Sequence, residues 1–134
     1  MKTTFLSQLF LLCTVAIAFG QDSNLEESMQ RGSEIYYDFC VTCHMEQGEG
    51  VPKTFPPLAK SDYLMENREE SIRGIKFGQS GELIVNGETY NSVMAPMGLE
   101  DEEIADVMNF ILNSWGNSSK DMVITEEVAE INKN

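Results

Sequence analysis

Three residues in a run of five could do chemistry: Cys40 and Cys43, separated by Val41 and Thr42, and directly after them His44, the chain's only histidine. Two thiols spaced this way sit about one helical turn apart, so each can form a thioether to one of a porphyrin's two vinyl groups. The adjacent imidazole then falls beneath the iron as proximal ligand. Cys-x-x-Cys-His is the attachment signature of a c-type haem. Three other uses of the pair compete with it. A thioredoxin-like dithiol needs a strand before it and a βαβ unit around it, and the flanking sequence suggests neither. Tetrahedral zinc wants four soft or imidazole ligands, against three here. A disulfide between near neighbours is the last.

An iron that shuttles electrons wants a sixth ligand, and a thioether favours Fe(II) and raises the potential. With no second histidine, the ligand from this chain must come from its eight methionines. Met94 and Met97 stand in a Pro/Gly loop, Asn91 to Gly98, about fifty residues beyond His44, far enough to return over the opposite haem face. Met45 is too close to His44, while Met65 and Met108 fall in expected helices. Met94 is the expected ligand and Met97 its alternative. On the proximal side, Gln47 to Leu58 is too rich in Gly and Pro for a long helix or a central strand. Such a loop can offer a carbonyl to the free ring nitrogen of His44, fixing the ring and raising its basicity. Pro56 and Pro57 are the candidates, with Pro57 taken as the cofactor contact.

Four helical stretches and a hairpin must position these groups. Ser23 or Asn24 caps a first helix, Leu25 to Phe39, with Met29, Gly32, Tyr36 and Phe39 or Cys40 on one face. Gly32 costs about 1 kcal/mol against Ala inside a helix, which asks for close approach of another element. A second helix runs from Tyr63 to about Lys76 behind Ser61 or Asp62, turning Leu64, Ile72, Ile75 and Tyr63 inward, until Gly74 and Gly78 break it. Asn86-Gly87 between two short apolar runs signals a hairpin. A last helix spans Asp101 to Trp115, with Gly116 as its stop. Ile104, Val107, Met108, Ile111 and Trp115 form its apolar stripe, and Phe110 can fill the notch at Gly32. Glu100 to Glu103 complement the positive end of its dipole. Beyond it, Val123 to Val128 reads as a short capped turn lying back on the domain.

The 134 residues allow one domain. Residues 1–20 read as a signal peptide: Lys2, then an uncharged apolar run from Phe5 to Phe19, with cleavage after Ala18 or Gly20. An uncleaved anchor is the alternative, although the run is short of the roughly 20 residues that span a bilayer. Cys13 goes with the leader. Export agrees with thioether attachment, which takes place outside the reducing cytoplasm. Residues 21–117 form the expected domain and 118–134 a C-terminal extension. Loss of Lys2 leaves eight basic against 22 acidic side chains. That surface repels nucleic acid and anionic lipid and would steer a basic partner surface toward the protein. The mature chain, without a membrane span, is expected to be a monomer in the periplasm or otherwise exported. A core this thin gains from a buried porphyrin.

Taken together, the chain resembles class I cytochromes c, monohaem domains with His/Met ligation. The resemblance rests on Gly32 and Tyr36, Cys40-Val41-Thr42-Cys43-His44, Gly48-x-Gly50 and Phe55-Pro56-Pro57-Leu58. It continues through Val85-Asn86-Gly87, Tyr90-Asn91, Met94 near Pro96, and Leu99 to Glu103 leading into Ile104 and Phe110. Within that family it resembles small periplasmic members that serve, or are fused to, copper nitrite reductases and quinoprotein dehydrogenases. The resemblance implies an all-α cytochrome c fold, three to four helices around one covalent haem c plus a small β-hairpin, with first and last helices crossing at Gly32 and Phe110. It implies an electron carrier rather than an enzyme, its iron cycling between Fe(III) and Fe(II) and its partners redox proteins. The alternatives are a haem c subunit of a periplasmic oxidoreductase complex, or a sensor or ligand-binding protein with an open sixth site. Cys40 and Cys43 would hold the porphyrin, His44 and Met94 (alternatively Met97) the iron, and Tyr90, Asn91 and Trp115 would border the haem edge or propionates. Two departures stand out: Ala95 separates Met94 from Pro96, and Glu100 replaces the usual Ser cap, which should weaken that cap by roughly 1 kcal/mol.

Overall fold

The computed structural model describes residues 24–133; the leader 1–20, Cys13 and the Ser23 cap lie outside the described residues. Helix α1 (24–35) runs unbroken into a π-helical turn, Tyr36–Cys40, and a last turn, α2 (Val41–His44). The first helix therefore does not stop at Phe39 but carries the two cysteines and the histidine on its final turns. In the π turn the Val41 N–H donates to Tyr36 O, five residues back. This absorbs one extra residue ahead of Val41 and rotates α2 about the helix axis. Tyr36 is fully buried, whereas Phe39, expected on the same face, stands 47% exposed.

The second predicted helix is two. Ser61 caps α3 (Asp62–Glu66), its Oγ accepting from Leu64 N–H at 3.1 Å, and α4 (Arg68–Phe77) begins after Asn67. The break is at Asn67, whose backbone (φ −122°, ψ 56°) leaves the helical region while its N–H and its side-chain amide both donate to Tyr63 O, at 2.9 and 3.1 Å. Gly74 stays buried inside α4, and Gly78 alone terminates it. Strands β1 (Leu83–Val85) and β2 (Glu88–Tyr90) pair antiparallel, with Leu83 opposite Tyr90 and Val85 opposite Glu88. Asn86 and Gly87 both have positive φ, as a tight hairpin turn requires. Asp62 Oδ1 accepts from Asn86 N–H at 2.7 Å, tying the turn to α3.

Helix α5 (Asp101–Leu112) supplies most of the core: Ile104, Val107, Met108, Ile111 and Leu112 pack with Tyr36, Leu64 and Ile72. It ends earlier than predicted, and the chain turns at Trp115 (φ 52°) instead of passing through it as helix. The expected weak cap is also corrected, since the Glu103 carboxylate accepts from Glu100 N–H at 2.8 Å as part of a capping box. Helices α1 and α5 touch at Gly32: a Cβ there would lie 2.0 Å from Asp106 O and 2.9 Å from Phe110 Cβ. The notch mainly admits the Asp106 backbone, with Phe110 beside it.

A polar network crosses the same junction. Buried Asp106 accepts from Ser28 Oγ at 2.6 Å and from Arg31 Nε and Nη2 at 2.6 and 2.8 Å. Buried Asn109 donates to Ser28 Oγ and Val123 O and accepts from Val123 N–H. The chain beyond residue 117 lies on the domain through these bonds, through α6 (Thr125–Glu130) and through the fully buried Val123 and Val128. Arg68 joins Glu127 and donates to the carbonyls of Asp121 and Met122; its guanidinium holds the Glu127 carboxyl below the usual range. Among the described residues no helix is long and apolar enough to cross a membrane.

Candidate functional site

Helix α2, the loops on either side of the hairpin, and helices α3 to α5 enclose an apolar cleft. Its empty volume, counted out to open solvent, is about 1210 Å³. Phe39, Phe55, Leu58, Leu64, Ile75 and Val107 are among its walls. Cys40, Cys43 and His44 face it from the end of the first helical run, and the two cysteines are not joined in a disulfide. Before haem is attached, burial and the neighbouring Cys43 push the Cys40 thiol up to about 11, so it is protonated at neutral pH.

His44 is held by its ring. Nδ1 lies 3.0 Å from Pro56 O, and a carbonyl can only accept, so Nδ1 carries the proton and Nε2 keeps its lone pair. Burial lowers the pKa of His44, with the Pro56 bond acting against it. The ring is therefore a neutral imidazole with a free ligating nitrogen. The carbonyl belongs to Pro56 and not to Pro57, which lines the cleft instead. The loop aims that carbonyl through Gly50: its N–H donates to His44 O at 2.9 Å, and a Cβ on it would stand 2.4 Å from Phe55 O and 2.7 Å from Pro56 O. Gly50→Ala should lower the thermal midpoint, since both the positive φ and the crowding resist a side chain. NMR should show faster solvent exchange of the His44 Nδ1 proton.

Of the remaining candidates, Tyr90 is buried against the cleft, and Met94 and Met97 both line it from the loop after the hairpin. Asn91 is exposed and outside the lining. Trp115 is also outside it, because its ring is taken up by Tyr36 (5.0 Å between centroids) and Phe110 (5.3 Å). Sequence reasoning put Tyr36 on the packed helix face but missed its hydroxyl, which donates to Met45 O at 2.6 Å and fixes the exit from α2. A tyrosine on an inward face one helical turn before the first cysteine was the available signal.

Zinc finds no partners here: among the described residues no group of three or more His, Cys, Asp or Glu is placed to hold a metal ion. Two thiols, an imidazole with a free Nε2, thioethers and apolar walls do fit a covalently tethered porphyrin with its iron. The cytochrome c family model matches residues 29–115. The chain belongs to the cytochrome c family.

This cytochrome is 40% identical over 94 residues to cytochrome c-552 of Thermus thermophilus, covering 66% of the chain and 71% of that relative. It is 33% identical over 104 residues to the cytochrome c subunit of the quinone alcohol dehydrogenase of Gluconobacter oxydans (strain 621H), covering 75% of the chain but 21% of that subunit. With the cytochrome c subunit of gluconate 2-dehydrogenase of Pantoea cypripedii it shares 30% over 124 residues, 86% of the chain and 28% of that subunit. Like its family, the cytochrome carries covalent haem c with its iron and transfers electrons.

Proposed function

We propose that this chain is an exported electron carrier in which Cys40 and Cys43 tether the haem, His44 Nε2 is the proximal ligand and the Met94 thioether the distal one. Haem c, when bound, supplies a one-electron Fe(III)/Fe(II) couple. The work of the chain is to set and protect it. Pro56 keeps the imidazole oriented and basic, while burial favours its neutral form. The apolar walls exclude water. The observation that carries the reading is the Pro56 bond, which leaves Nε2 as the lone pair of a histidine facing the same cleft as both thiols.

The acidic surface would draw in a donor or acceptor with a basic face, at a rate that falls with added salt. Spectra of the purified oxidised protein test the ligand set. Met94→Ala should abolish the weak long-wavelength band of a thioether–Fe(III) bond, and Met97→Ala should keep it. Loss on Met97→Ala alone would move the distal role to Met97. Absence of the band from the unsubstituted protein would favour an open sixth site.

A second reading, a haem c subunit of a periplasmic oxidoreductase, is supported by the two dehydrogenase subunits among the relatives. Co-purification with a dehydrogenase that survives high salt would favour it.

A further inference from the structure

We propose that the end of α4, Gly78 with Gln79, is the positioning device for the distal ligand, a proposal that rests on Met94 holding that role. Gln79 N–H donates to Met94 O at 2.8 Å and Met94 N–H donates to Gln79 O at 2.9 Å, an isolated antiparallel bridge outside the hairpin. It ties the middle of the ligand loop to the residue just beyond the Gly78 cap of α4, a helix packed against the core. Gly78 makes the bridge possible. Its φ of 87° turns the chain out of α4, and a Cβ there would stand 2.9 Å from Met94 O and 3.0 Å from Pro96 Cδ. Helix and loop are thus in backbone contact on both sides of Ala95.

The Met94 side chain is received by the same helix. Its Cε comes within 3.6 Å of where a Gly74 Cβ would be, and Gln79 Oε1 within 3.7 Å of that point. Met97 has no comparable anchor: among the described residues its backbone makes no hydrogen bond to another backbone group. A second tie, Ser92 Oγ donating to Thr54 O, joins the start of the loop to the proximal loop across exposed surface. Residues 91–98 are therefore pinned at two points, of which the Gln79 bridge is the one at the ligand itself. Loosening that bridge should let the thioether leave the iron more often while the imidazole side stays fixed.

The experiment measures how fast cyanide, an external ligand, is captured by the oxidised holoprotein at the position the thioether occupies. Gly78→Ala drives a side chain into the Met94 carbonyl, and Gln79→Pro removes one bridge donor without touching Gly78. Val123→Ala, in the buried tail segment, serves as a control that lowers stability elsewhere. Both bridge variants should speed cyanide capture by about tenfold or more, the size expected when backbone hydrogen bonds are lost. The control should leave it near the unsubstituted rate at a similar fall in thermal midpoint. If the bridge variants speed capture no more than Val123→Ala does, the device is merely structural and the proposal is overturned. If one bridge variant does not fold, the other decides. Retention of the thioether band in Met94→Ala would instead overturn the ligand assignment, leaving the two failures distinguishable.

Discussion

Gly32→Ala is expected to destabilise the folded protein by about 3 kcal/mol, the upper end for overpacking a tight junction. The added methyl would meet Asp106 O at 2.0 Å and Asp106 C at 2.5 Å. These are backbone atoms of α5, so no rotamer can relieve the clash and the two helices must separate. Separation lengthens the Ser28–Asp106 and Arg31–Asp106 bonds and loosens Tyr36, whose hydroxyl steadies the end of α2. A domain of this size has only about 5–15 kcal/mol to lose, so thermal unfolding should show a clearly lower midpoint. Gly32→Ala at the unsubstituted midpoint would mean that α1 and α5 do not meet there.

The second large effect is expected from Asn109→Leu. The two side chains are close in size, so the change is chiefly a loss of hydrogen bonds. Val123 is fully buried and exchanges both its N–H and its C=O with the Asn109 amide. Leucine leaves both unpaired, and Ser28 Oγ loses a donor as well. An unsatisfied buried polar group costs about 1–3 kcal/mol, so the variant should lose roughly 3 kcal/mol, with the tail as the place where it shows. Hydrogen exchange should report a sharp fall in protection of the Val123 amide. Arg68 and Val128 still hold α6, so exchange there should rise less. Unchanged protection at Val123 would show that the tail is held by other means.

The parts of the fold that were legible in the sequence are those whose cause is local. Asn86-Gly87 requires positive φ and gives the hairpin; Ser61 offers a cap; the apolar stripe of α5 has the helical period. Gly32 announced a close approach through its own cost. The features that escaped were set by partners distant in sequence or by local irregularity. Asn67 leaves the helical region in the middle of a good helical pattern, its side-chain amide doubling the last bond to Tyr63 O, and Trp115 leaves the last helix for a place beside Tyr36 and Phe110. The π turn shifts Phe39 off the core face by one inserted residue, which no periodicity reveals. Type and spacing singled out the cysteines, the histidine and both loop methionines, and all five line the cleft. The choice between Pro56 and Pro57 needed the actual course of a loop folded around Gly50. Trp115 and Asn91 were chosen for their chemistry, and packing sends one behind the cleft and the other to solvent.

The most direct measurement is mass spectrometry of the peptide containing Cys40, Cys43 and His44, from protein expressed with haem-maturation machinery. The expected result is a peptide heavier by one haem, with both cysteines refusing alkylation and the pigment staying with the protein in acid acetone. Two freely alkylated thiols, with a colourless protein or a pigment that washes out, would contradict it.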